Sequence, residues 1–166
     1  MDNSRLQELY LGDQKDREQV YHSKARVDDL SSRDKLRREL VYEMMSQGAL
    51  KTPLDLYHAA VILQHGALPK DFLAAHRLAV LSAVSGHRPA RWLLAASLDR
   101  YLVASERPQI YGTQFEFDEA ENQYRLNMPI DESSVMPAEK ALLDGPSVPE
   151  RLKQLNSRIQ DGGAKK

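Results

Sequence analysis

A chain of 166 residues with 42% hydrophobic and 28% charged residues has the make-up of one soluble globular domain, long enough to bury roughly two thirds of the surface its unfolded form exposes. The absence of cysteine excludes disulfides, thiolate nucleophiles and cysteine-ligated metals. With 23 basic and 24 acidic residues mixed along it, the chain has no basic field to gather nucleic acid, and no apolar run approaches the ~20 residues of a membrane span.

The opening stretch MDNSRLQELYLGDQ has neither the basic flank nor the apolar core of a secretory signal, so the expected location is the cytoplasm. From Ser4 to about His22, the residues Leu6, Leu9, Tyr10, Val20 and Tyr21 form a helical stripe behind a cap from Asn3 or Ser4. A second helix is expected to begin after Ser31 or Ser32 and to stop at Gly48, with Leu36, Leu40, Val41 and Met44 as its apolar stripe. The densest basic run, Arg33 to Arg38, also holds Asp34 and precedes Glu39, the pattern of a solvated helix face.

Thr52 followed by Pro53, with Asp55 placed to return the capping bond, opens a third helix that is apolar almost all round and therefore central. Two more follow, bounded by Pro69, Gly86 and Pro89. Short turns and abundant alanine predict antiparallel neighbours at close range. Asp71, Ala75, Leu78, Ala83, Gly86, His87 and Ala90 stand in a register that resembles a Sel1-like repeat, a variant of the tetratricopeptide hairpin, over about one and a half repeats. Ala60 and Val61 replace the leucine-glycine pair of that pattern. An array needs about three units to bury its faces, so the remaining helices must serve as caps.

After Ser105 the pattern turns to alternation, predicting a β-hairpin from about Thr113 to Phe117 and Gln123 to Leu126 around Glu119 to Asn122. Two short helices are expected from Pro137 to Leu143 and from Ser147 to Ile159, the second opened by a Ser147 and Glu150 capping pair. The expected fold is thus mainly α: antiparallel, repeat-like hairpins of about five helices, then a β-hairpin and short C-terminal helices. One domain spans 1–160, with 53–105 as its core, 107–127 carrying the hairpin, and 161–166 a fraying tail.

Packing explains the segment Gln109 to Gln114 least, because two amides, a phenol and a hydroxyl surround a glycine there. Asp99 is the second oddity, since helical spacing puts this carboxylate on the face of Trp92, Ala95, Ala96 and Leu102, where it needs a partner. Arg100 points elsewhere on the wheel. His58 and His65 share a helix face but are too far apart to hold one metal, and His65 at the helix end can serve as a cap or as a general base. No glycine-rich phosphate loop, no nucleophile elbow and no paired metal motif occurs, and neither metal nor cofactor is expected.

Asp13-Gln14 with Arg17, then Gln64-His65, Asp99-Arg100, Arg107-Pro108-Gln109 and Tyr111-Gly112-Thr113-Gln114 together resemble a bacterial domain family of unknown function marked by DQ…R, QH, DR and Q-x-YGTQ, over about residues 6 to 155. The resemblance implies a shared polar cluster without naming its task. Residues so separated in sequence and so unsuited to a core are expected to converge at a pocket. His65 and Asp99 are the candidate catalytic pair, with Asp13, Gln14, Arg17, Gln64, Arg100, Gln109, Tyr111, Thr113 and Gln114 as binding residues. The leading expectation is a cytoplasmic helical-repeat module that binds a protein or peptide, with the YGTQ segment completing its groove; the alternative is a small metal-independent hydrolase or transferase, and the third reading is a purely structural clamp.

Overall fold

The computed structural model describes the backbone of residues 1–23 and 29–163 and the side chains of 1–19 and 29–159. The expected apolar positions Val20 and Tyr21, His22 and the expected tail at 161–166 lie outside the described side chains. Among the described residues are seven α-helices: α1 (Ser4–Ser23), α2 (Leu30–Ser46), α3 (Pro53–Leu63), α4 (Pro69–Val84), α5 (Ala90–Ala104), α6 (Pro137–Leu142) and α7 (Val148–Gly163). Two strands, β1 (Phe115–Asp118) and β2 (Gln123–Leu126), pair antiparallel, with Phe115 opposite Leu126 and Phe117 opposite Tyr124. The chain is mainly α, as its periodicity indicates. None of the described helices is long and apolar enough to cross a membrane.

Helix α3 is the axis of the fold. Six consecutive residues, His58 to Leu63, are buried, more than a full turn without an outward face. It packs against α1, α2, α4 and α5. Ala59, Ala60, Ala75 and Ala79 are fully buried, so α3 and α4 approach without large side chains between them.

The helix starts are tied to one another by carboxylates. Asn3 caps α1, its Oδ1 accepting from the Leu6 amide at 3.0 Å. The Asn3 amide donates in turn to Asp55, the capping-box residue of α3, which also accepts from the Lys51 and Thr52 amides. Burial pushes the Asp55 carboxyl up, but these amide donors prevail and hold it below its usual range. Asp71 does the same for α4: it accepts from the Ala67 and Leu68 amides and from the Tyr42 hydroxyl of α2. Gly66 is required there, because a Cβ would stand 2.4 Å from the Asp71 Cβ.

Helix α2 departs from expectation. It begins at Leu30, slightly earlier than its serines suggest, and Leu36 of the expected stripe is 57% exposed. The buried residues of α2 are Asp34, Arg37 and Val41. The basic run is therefore not a wholly solvated face. Arg37 bonds Asp16 of α1 and, at 3.2 Å, Asp34; Arg17 reaches Asp34 at 2.6 Å; Arg33 reaches Asp16 at 3.1 Å. Charges rather than a leucine seam join α1 to α2. Burial raises the Asp16 carboxyl, and Arg37 with Arg33 more than offsets it, leaving the group below its usual range.

His58, buried in α3, stacks on Tyr10 with ring centroids 4.0 Å apart. Burial depresses its pKa from the usual 6.5, with Asp55 opposing only in part. A base whose folded pKa is lowered binds fewer protons folded than unfolded, so stability rises with pH across the interval between the two values. The contribution of neutral His58 is complete above about pH 6.5 and is lost as pH falls toward the depressed value. Denaturant midpoints measured from pH 7 to 5 should fall, and should fall less in His58→Gln.

Candidate functional site

Asp99 lies on α5, fully buried, and both its oxygens are taken by the segment that follows the helix. It accepts from the amides of Ile110 at 2.8 Å, Tyr111 at 3.1 Å and Thr113 at 3.0 Å, and from the Thr113 hydroxyl at 2.8 Å. The backbone wraps its amides around a carboxylate as a nest wraps an anion. Gly112 makes the wrap possible: its φ is +71°, and a Cβ there would lie 2.8 Å from Val148 Cγ2. This also explains why β1 starts at Phe115 and not at Thr113, whose amide and hydroxyl are already committed.

Gln109, fully buried, braces the same loop from inside. Its side chain accepts from the Gln114 amide at 2.9 Å and donates to the carbonyls of Gln114 and Asn127. The Tyr111 hydroxyl donates to Glu139 of α6, and burial with that bond pushes the phenol well above its usual value. Arg100, one residue beyond Asp99, grips the loop from its other side: Nε donates to the Gln114 side chain at 3.1 Å and Nη1 to the Gln64 carbonyl at 2.6 Å. A guanidinium on the carbonyl just past α3 also suits the negative end of that helix.

His65, two residues beyond α3, faces α1. Its Nδ1 is 3.0 Å from Asp13 Oδ1, and Asp13 is 1% exposed. Asp13 also accepts from the Gln14 side chain at 2.9 Å and lies 3.5 Å from Arg17 Nη2. The expected pairing of His65 with Asp99 is therefore replaced by one with Asp13, because the amides of 110–113 occupy both oxygens of Asp99. A carboxylate facing Nδ1 takes the hydrogen of that nitrogen, which leaves the lone pair of the neutral ring on Nε2. Nε2 makes no hydrogen bond among the described residues, and the side chain is 18% exposed.

A cavity of about 330 Å³ opens at this point. Gln14 and Arg17 of α1, Gln64 and His65 past α3, Arg100 of α5, and Thr113 and Gln114 of the loop all line it. Seven of the eleven residues singled out from the sequence thus line one cavity, with Asp13 hydrogen-bonded to His65 behind it. Asp99, Gln109 and Tyr111 do not line the cavity; they shape the loop that does. Sequence reasoning missed Tyr57, Trp92 and Arg151, which line it too, together with the apolar Val61, Pro89, Leu93 and Ala96. For Tyr57 a signal was present, since Tyr57, Val61 and Gln64 form one α3 face, whereas helical spacing groups Trp92 with Asp99. Arg151 arrives on α7, whose Asn156 bonds both backbone groups of Tyr124 and so docks the helix on β2.

None of the described residues lining the cavity is acidic. Nor do any three His, Asp or Glu side chains among the described residues group as metal ligands would. Compared with protein-family models, with curated proteins and with solved structures, the chain finds no match in any of the three.

Proposed function

We propose that the protein is a small metal-independent enzyme, a hydrolase or transferase, in which His65 acts as a general base on a substrate held in the cavity. The observation that carries this reading is the His65 and Asp13 pair: a buried carboxylate fixes the ring through Nδ1 and leaves Nε2 unbonded at a cavity wall. A covalent route has less support. The Thr113 hydroxyl donates to Asp99, and burial together with a bond to Tyr10 pushes the Tyr57 phenol above its usual value. The base then acts on a water or on a substrate hydroxyl or amine. Seen this way, the QH, DQ…R and YGTQ elements of the bacterial family that the chain resembles are parts of one pocket, and Asp99 is the clamp that holds the last of them.

A second reading, binding of a protein or peptide, draws on Leu81 and Val84 of α4, which are 51% and 77% exposed. Neither lines the cavity, so this reading separates the apolar surface from the YGTQ wall instead of joining them in one groove.

The test is a turnover screen of chromogenic esters, amides and phosphoesters on the native chain, His65→Ala and Asp13→Asn. Native turnover that drops about 10²- to 10⁴-fold in His65→Ala is expected. Asp13→Asn should lower kcat as well, because an amide no longer fixes the tautomer. Turnover that survives His65→Ala unchanged, or a native chain inert across the panel, would overturn the proposal.

A further inference from the structure

We infer that the ligand of this cavity is a small organic oxyanion, a carboxylate or phosphate monoester carrying a flat or apolar body; the inference rests on the cavity being a substrate site. The chain as a whole has a net charge of −1, yet its cavity is lined by Arg17, Arg100 and Arg151 with no acidic side chain among the described residues. Three guanidiniums from three helices line one space, Arg17 among them already paired with Asp34, and the positive potential they sum to there favours an anion.

Two of these groups differ in how far they are already engaged. Arg17 meets Asp34 at 2.6 Å and lies 3.5 Å from Asp13 through Nη2, while its buried Nε has no hydrogen-bond partner. Arg151 bonds only the neutral Gln154 side chain, at 3.2 Å, and has no carboxylate within ion-pair distance among the described residues. Guanidinium forks match the paired oxygens of carboxylates and phosphates, which is the reason for naming an oxyanion instead of a halide. The rest of the lining is of the opposite character: Trp92, Val61, Leu93 and Pro89 offer an aromatic plane and aliphatic surface. A ligand that satisfies both walls has a charged end and an apolar body, and a volume of about 330 Å³ suits a compact one.

Trp92 is the sole tryptophan of the chain and lines the cavity, so its fluorescence reports occupancy directly. Titrating the full chain with benzoate, phenyl phosphate and neutral benzamide separates the sources of the charge. Saturable quenching by at least one anion, weakened by added salt and much weaker for benzamide, is expected. Benzoate favoured over phenyl phosphate identifies a carboxylate ligand, and the reverse a phosphate monoester. Arg151→Gln, at a partly exposed site with a single surface bond, should keep its thermal melt and weaken the preferred anion about tenfold.

Benzamide binding as tightly as the anions, no saturable response to either anion, or an unchanged Kd in both Arg151→Gln and Arg100→Gln would overturn the inference. Its failure is distinct from that of the general base. Binding that persists in His65→Ala without any native turnover removes the base and leaves the oxyanion site, whereas turnover of neutral substrates without anion binding removes only the oxyanion site.

Discussion

Asp99→Ala should lower the free energy of unfolding by about 3 kcal/mol or more, because the substitution strands the amides of Ile110, Tyr111 and Thr113 and the Thr113 hydroxyl, each worth about 1–3 kcal/mol when left without a partner. Urea melts of the two proteins measure the difference. Asp99→Asn should fall between them, since an amide oxygen can accept from part of the loop while its NH2 faces donors. The same variants report on the site. Thr113 and Gln114 form one cavity wall only while Asp99 holds the loop, so Trp92 quenching by an anion should weaken along with stability. A loss below about 1 kcal/mol would mean that water replaces the carboxylate and that the nest is not under tension.

Arg37→Ala is the second large loss expected, about 3–5 kcal/mol. Arg37 is 8% exposed and stands between Asp16 and Asp34, which are 9% and 8% exposed. Removing the cation leaves two buried carboxylates supported by Arg33 and Arg17 alone. The cost arises from uncompensated burial and not from any large net worth of the network. Replacing Asp16, Asp34 and Arg37 together by apolar residues of similar size should therefore recover most of the loss. Denaturant unfolding of the single and triple variants decides the matter, and a triple variant as unstable as Arg37→Ala would show that the charges set the α1 to α2 geometry.

What the sequence determined by itself was local. Thr52, Pro53 and Asp55 announce the start of α3, Ser147 and Glu150 that of α7, and the alternation after Ser105 announces the hairpin, because caps and periods depend on neighbours a few residues away. Apolar residues all round α3 declare it central. The oddness of Asp99, His65 and the YGTQ segment is equally legible, since polar groups at those positions need partners wherever the helices go.

Which partners they find was decided only by packing. Helical spacing puts Asp99 on the Trp92 face, but whether it meets His65 or a ring of amides depends on the path of residues 109–114 over α5. Asp13 reaches His65 because α1 lies along α3, a pairing across 52 residues that no local pattern encodes. The burial of Arg37 has the same origin: α1 happens to present Asp16 opposite it, and a charged face that looks solvated in isolation becomes an interface. Tyr57, Trp92 and Arg151 join the pocket for the reason that spacing specifies which residues share a face, whereas only the tertiary structure specifies which faces meet.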